Sequence, residues 1–463
     1  MYPYPQNIIS YPQMQFLSKS ALLTLPIEII EDIAFLLEDD KDLINLSLTC
    51  TSLNAILLST TSSIWRRRFK EKYDLPRGKS SAQIKFEYQT RSIVLSQAVS
   101  FKDGESGQQK LWLEVIQLLL EESFSSPYTS DGSVVSRNLT RIREVISKSA
   151  FLERPISGFA MRSPDVCSDS FCAVQLCLTY LSLDLNLSYR CLRTDYDIAS
   201  VYSYGSAPEN VFISIEELDL RKLLHIRNFW QRHLINLDEG TFHKSFASLC
   251  EEKRPQPWTE CIHHNINLGS SWLGYYSCIH PRPPDLSSLQ DRQTCADLDS
   301  HWTDILPLHL HLHLIRDSDE EWPALFDNII PLLGPDSRRR YFRGLQSLHS
   351  LNDRTSYPVR GLIEQILSSQ GGLRGWTRIC FTIYNPNREL LKLIPSEDNE
   401  ENAEDQQEEV RFPDEEWPPI SWSDFHWAFG YEGVVLPGGN IMFGKWINML
   451  ETSDSGPFVF WCI

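Results

Sequence analysis

The 463-residue sequence contains no run of about 18 apolar residues, so no segment reads as a membrane-spanning helix. Its start, MYPYPQNIISYPQMQF, has no charged region followed by an apolar stretch and does not read as a secretory signal. Eleven cysteines occur without one CxxC pair or a regular spacing, which argues against a disulfide framework and for a reducing compartment, cytoplasm or nucleus. Basic excess is also missing: 43 Lys and Arg stand against 61 Asp and Glu, a net charge of −18. That balance disfavours a nucleic-acid partner held by broad phosphate neutralisation, and an anionic membrane surface. There is no GxSxG, HExxH or kinase-type set, and no internal repeat.

What is present is uneven. Residues 397–416 hold eleven acidic residues and one Arg, and so carry −10 of the −18. The composition of residues 396–416 precludes a core and predicts a disordered, solvated loop. Residues 1–20, rich in Tyr, Pro, Gln and Ser, read as a disordered leader. From Pro26 onward, Ile29, Ile33, Leu36 and Leu37 recur at helical spacing, with Glu28 and Glu31 near the positive end of the helix dipole. A second helix carries Leu43, Leu46 and Cys50, opened by Asp39 or Asp40, and a third carries Leu53, Ile56 and Leu57. A Ser/Thr turn and a basic segment with Trp65 and Phe69 follow. So short a helical unit shows more apolar positions, among them Leu25, Ile30, Leu48 and Leu58, than one small core can hide, and some should face a partner.

Residues 73–250 read as mainly helical, from the periodicity of Leu111, Val115 and Leu118, of Leu139, Ile142 and Ile146, and of Leu220, Leu223 and Leu224. The apolar run 172–187 is helix or buried strand by pattern alone. Beyond about residue 257 short segments rich in aromatic and branched residues predict strands at 272–278, 308–314, 376–384, 433–436, 441–446 and 457–461. Pro437-Gly438-Gly439-Asn440 supplies the turn of the clearest hairpin. The expected class is α+β: a small three-helix unit at 21–72, a helical linker at 73–250, and a barrel- or sandwich-like β-rich domain at 251–463 interrupted by a helical insertion at 329–367.

The first unit resembles an F-box. Leu25-Pro26-Ile27-Glu28-Ile29-Ile30, then Ile33 and Leu36-Leu37, Asp42-Leu43, Leu46, Leu48-Thr49-Cys50, Leu53 and Ile64-Trp65 follow the order and spacing of that family. Later segments are similar to large F-box proteins of filamentous fungi: residues 111–116, Trp272-Leu273-Gly274-Tyr275-Tyr276, Gly372-Leu373 with Trp376, and residues 427–444. The resemblance implies a non-catalytic substrate adaptor of an SCF-type ubiquitin ligase, without a cofactor. Its F-box would dock on a Skp adaptor, and through it on cullin and RING subunits, while the C-terminal domain presents a protein substrate for ubiquitination and proteasomal degradation. It implies Leu25, Pro26, Ile29, Leu43, Leu46, Cys50, Leu53 and Trp65 as the adaptor-binding residues or their support. The alternative is a ligand-binding or metal-dependent β-barrel whose F-box controls its own turnover.

That alternative rests on His309, His311 and His313, which alternate with Leu308, Leu310, Leu312 and Leu314. On a strand this sets three imidazoles on one face, a spacing that can ligate zinc or form a pH-sensitive patch. The commoner reading is a half-buried strand with a polar face of His. Cys167, Cys172 and Cys177 recur every five residues, a step that gathers them on neither a helix face nor a strand face. Gly371-Gly372-Leu373-Arg374-Gly375 lacks the lysine of a phosphate loop and reads as a turn before a strand. Arg338, Arg339 and Arg340, with Arg343, form a basic cluster at an expected helix start, a weak nuclear signal or a grip for an acidic degron, the commoner reading being a solvated face.

Overall fold

The computed structural model describes residues 21–76, 78–97, 99–101, 105, 107–125, 136–149, 151–152, 156, 167–187, 195–202, 211–214, 216–258, 268–278, 305–315, 321–335, 338–347, 356–387, 417–451 and 454–463. The leader 1–20, the acidic run 397–416, and Cys261, His263 and His264 lie outside them. The chain forms two compact units, the first ending at Ile93 and the second beginning at Val94.

The first unit is built from helices α1 (Ile27–Phe35), α2 (Asp40–Leu48), α3 (Thr51–Leu57), α4 (Ser63–Lys72) and α5 (Ser81–Ser96), after a single 3-10 turn at Ala21–Thr24. The segment expected to hold three helices thus holds four. The Ser/Thr turn separates α3 from α4, and α4 forms because Ile64, Trp65, Arg68 and Phe69 fall at helical spacing on one buried side. The compact unit also runs past residue 72, the expected boundary. Ile84 and Tyr88 of α5 are fully buried, and Arg91 lies 5.1 Å from the centre of the Phe69 ring.

The second unit starts with helices α6 (Gly107–Ser125), α7 (Arg137–Ser147), α8 (Asp169–Cys177), α9 (Thr179–Ser182) and α10 (Ile198–Tyr202). The ambiguous run 172–187 is therefore helical. A two-stranded ribbon, β1 (Phe212–Ser214) and β2 (Glu217–Leu218), leads to α11 (Leu220–Ile235) and α12 (Thr241–Ser248). Eight strands follow: β3 (Ser271–Tyr276), β4 (Leu308–Leu314), β5 (Arg339–Ser347), β6 (Ser356–Gln365), β7 (Thr377–Pro386), β8 (Phe425–Val435), β9 (Ile441–Asn448) and β10 (Ser455–Cys462). Each pairs antiparallel with the next, and β10 pairs with β3, so the sheet closes into an eight-stranded up-and-down barrel without an edge.

The expected helical insertion at 329–367 is not there: the regular elements among the described residues of that span are β5 and β6, and the basic cluster opens a strand rather than a helix. The alternation that marks a half-buried strand is disguised in both. On β5 the residues facing the lumen beyond Phe342 are Gly344 and Gln346. On β6 a continuous stretch, Val359 to Glu364, is buried, because both sides of the strand are covered.

The lumen is filled by side chains, as the bore of an eight-stranded barrel allows. Trp272, Leu310, Phe342, Ile379, Phe381, Tyr431, Phe458 and Phe460 belong to its buried cluster, with the Phe381 and Tyr431 rings stacked 4.5 Å apart. Gly274 fits because a Cβ there would lie 2.1 Å from the Val459 carbonyl oxygen. Gly438 and Gly439, at φ of 110° and 71°, make the β8–β9 turn, in which Gly439 N–H donates to Leu436 O at 2.9 Å.

Two parts of the outer wall are covered. Tyr275 and Trp461 pack under α11 and α12, where Trp461 meets Phe246 and Ser245 hydrogen-bonds Tyr275 at 2.9 Å. Leu362, Cys380, Tyr384 and Ala428 lie under Trp322, Phe326 and Ile330. The helical region is thus one compact unit with the barrel, tied also by a Leu218 N–H to Gln370 Oε1 bond of 3.0 Å. Beneath the second cover runs a buried charge ladder. Arg378, 2% exposed, donates to Glu364 at 2.8 Å, to Glu432 at 2.9 Å and to Pro331 O at 2.6 Å, while Arg339 donates to Glu364 at 3.0 Å.

Candidate functional site

The first unit is held by contacts that link α1 and α2 to α4. The carboxylate of Glu31 accepts the Ser63 backbone N–H at 3.3 Å and the Ser63 hydroxyl at 2.5 Å, so a residue of α1 caps the start of α4. Arg68, nearly fully buried, donates to Asp40 at 2.6 Å and to the Leu37 carbonyl. Tyr88 donates its hydroxyl to the same Asp40 at 2.8 Å, and burial pushes its phenol above the usual range. Trp65 Nε1 donates to Leu57 O at 3.0 Å. Cys50 closes the approach to α3, its sulfur accepting the Leu53 N–H at 3.5 Å.

With the helices fixed in this way, α1 buries Ile30 and Ala34, four residues apart, and turns its other side outward. On that side Ile29, Ile33 and Leu36 follow one another at helical spacing and are 44%, 40% and 79% exposed. They form an apolar stripe about 10 Å long. Leu25, Ile27 and Leu48 are further exposed apolar residues of the same unit. A unit of this size has too little interior for its own apolar residues, and three of those it exposes fall in one row on α1.

The residues expected to bind or support a partner divide into two groups. Leu25, Pro26 and Ile29 are exposed, and Leu46 and Cys50 are half-buried. Leu43, Leu53 and Trp65 are buried to within 3% and offer a partner no surface: they are interior residues that hold the helices. Ile33 and Leu36 were left out of the expected set. The spacing 29, 33, 36 was the available signal, since it forms a row on a different side of the helix from the buried pair Ile30 and Ala34.

The histidine strand has the two faces expected from its alternation. Leu308, Leu310 and Leu312 enter the lumen cluster, and the three His point away from it. His309 shares a 2.7 Å hydrogen bond with Ser271, and its ring centre is 4.1 Å from that of His311. Among the described residues no three His, Cys, Asp or Glu side chains gather as a metal site. Cys167, Cys172 and Cys177 are buried, and burial pushes the Cys172 thiol up to about 12, far from a reactive thiolate. No described helix is long and apolar enough to cross a membrane.

The family model for F-box-like domains matches residues 22–71, the span of α1 to α4. Residues 22–71 thus form an F-box-like domain. No curated protein and no solved structure matches the chain. The stripe on α1 is therefore part of an F-box, a module that typically acts as a non-catalytic adaptor and generally binds a Skp-type partner. The buried Leu43, Leu53 and Trp65 are the interior of that module, and the barrel belongs to the second compact unit, which begins at Val94.

Proposed function

We propose that the chain is the substrate-recognition adaptor of an SCF-type ubiquitin ligase, working in the cytoplasm or nucleus. The F-box docks on a Skp adaptor and through it on cullin and RING subunits, and the second unit holds a protein substrate. The gain in rate comes from proximity, since a bound substrate meets the charged conjugating enzyme at high effective concentration without a catalytic group in this chain. The observation that carries this reading is the exposed row Ile29, Ile33 and Leu36, an apolar face displayed by a module of the F-box type.

The docking residues in this proposal are Leu25, Pro26, Ile29, Ile33, Leu36 and Leu48, with Leu46 at the margin. Each fully buried Ile or Leu contributes roughly 1.5–3 kcal/mol, so Ile29→Asp with Ile33→Asp should weaken adaptor binding by more than about 100-fold. Co-purification of the full chain with a Skp adaptor tests this. Wild type should hold the adaptor, and the double variant should lose it while keeping its helical circular dichroism. Failure of the wild type to bind, under conditions where a reference F-box binds, overturns the proposal.

A further inference from the structure

We propose that His225 is a protonation-sensitive latch: its neutral imidazole holds α10 against α11 and the closing pair of barrel strands, and acidification releases it. The geometry fixes the protonation state. The backbone N–H of Asp197 donates to His225 Nδ1 at 3.0 Å, and an N–H can only donate, so Nδ1 offers a lone pair and the ring keeps its one proton on Nε2. A proton added to Nδ1 sets two donors face to face and breaks the bond.

That bond holds the start of α10. Asp197 caps the helix: its carboxylate accepts the Ser200 N–H at 2.8 Å and the Ser200 hydroxyl at 2.7 Å, and its carbonyl accepts the Val201 N–H at 3.1 Å. In a capping box the N–H of the capping residue goes to a side chain three residues on; here a histidine of another helix takes it. The other contacts come from the same side of α11, at helical spacing from His225. Asn228 Nδ2 donates to Asp195 O at 2.9 Å, the Tyr196 and Tyr202 rings stand edge-on to Phe229 at 5.3 and 5.5 Å, and His233 Nε2 shares a 3.2 Å hydrogen bond with the Tyr196 hydroxyl. Tyr202 then reaches the barrel. Its hydroxyl hydrogen-bonds Ser277 Oγ at 2.8 Å, and the Ser277 N–H donates to Pro457 O at 3.0 Å, next to the pairing of β3 with β10. Release of α10 therefore takes the buried Val201 and Tyr202 out of the interface with α11 and the barrel.

Among the described residues, four charged groups act on His225: Asp195 and Asp197 from the segment it holds, and Asp219 and Arg221 from the start of its own helix. Of the elements packed on α11, α10 has only Tyr202 to titrate, and α8 brings Cys172, whose thiol stays protonated. The others, α12, β9 and β10, carry His243 and Lys244, Lys445, and Cys462. Burial, at 8% exposure, together with Arg221 outweighs the three carboxylates and holds the imidazole below its ordinary 6.5. A histidine whose folded pKa is lowered contributes stability that is present above the free value and declines as pH falls below it. The latch is therefore whole at pH 7.5 and weaker by about tenfold at pH 5.5.

The test is hydrogen–deuterium exchange of the full chain at pH 7.5 and 5.5, corrected for the intrinsic exchange rate at each pH. It follows the peptide that contains residues 197–202, relative to one that contains β7. The expected result is a fall in protection of about tenfold in wild type. His225→Asn puts an amide oxygen in place of Nδ1 and accepts the N–H at either pH, so the response to pH should disappear, whereas His233→Gln should keep it. Wild-type protection that changes less than threefold, a response retained in His225→Asn, or one lost in His233→Gln overturns the proposal. The outcome is independent of adaptor binding, so it stands or falls apart from the adaptor reading.

Discussion

Replacing Arg378 by Met removes the centre of the buried ladder at nearly constant side-chain volume. The guanidinium is 2% exposed and satisfies Glu364, Glu432 and the Pro331 carbonyl, so its loss leaves two carboxylates of low exposure short of their main cation. Breaking a buried ion pair from one side costs about 3–5 kcal/mol. Glu364 keeps Arg339 and the Gly334 N–H, each at 3.0 Å, which moves the expectation to the lower half of that range. Tryptophan fluorescence in a urea titration of the full chain is the assay, because twelve of the thirteen tryptophans follow residue 93 and so report the second unit. Acid changes the outcome in a defined direction. Burial alone would raise the Glu364 carboxyl, but Arg378 and Arg339 hold it below its ordinary 4.5. A carboxylate whose folded pKa is lowered contributes stability that is present above the unfolded value and is lost as pH falls through the folded one. The gap between wild type and Arg378→Met should therefore be full near pH 7 and shrink below about pH 4.5. The double variant Arg378→Met with Glu364→Gln should recover part of the loss, by a coupling of about 1–3 kcal/mol. A cost under about 1 kcal/mol, or a gap that does not change with pH, would refute the view that this ladder is a coupled buried network.

Leu53→Asp buries a charge in the F-box interior and should unfold that unit, whereas Leu48→Asp, at a 69% exposed site, should leave its circular dichroism unchanged and weaken only adaptor binding. Gly274→Ala brings a Cβ within 2.1 Å of the Val459 carbonyl oxygen and should cost about 1–3 kcal/mol in the same urea titration; a neutral outcome would mean that β3 and β10 lie farther apart. Deleting residues 397–416 should leave both thermal unfolding and adaptor co-purification as in wild type, and loss of either would show that the acidic run is structural.

The F-box was legible because its signals are local: a Leu-Pro opening, amphipathic spacing, a Cys at a turn and a closing Trp all lie within about fifty residues. The strands β3, β4, β7, β9 and β10 were legible from their aromatic and branched residues, β8 only at its C-terminal end, and the β8–β9 turn from its glycines. The missed strands β5 and β6 fail for a physical reason. A strand is recognised by alternation, and alternation requires that one face be wet. Val359 to Glu364 has both faces buried, with Arg360 and Glu364 among the buried residues, so its charges looked like solvent positions in a helix. The ion ladder was unreadable for the same reason, since only the pairing of β5, β6, β7 and β8 brings Arg339, Glu364, Arg378 and Glu432 together. In the F-box, spacing identified the helices, but which side of each was outermost followed from their packing. That is why the sequence did not separate buried Trp65 from exposed Ile33.

The pairing of β10 with β3 has a consequence for the order of synthesis. Helices α1 to α5 can pack as soon as they leave the ribosome, because all of their partners are already made. The barrel cannot: until residues 455–462 emerge, β3 and β9 each present an unpaired strand edge, open to pairing with another chain. A nascent chain stalled anywhere between β9 and β10 would thus carry a finished F-box attached to an aggregation-prone open sheet, and the last strand serves as the stave that seals it.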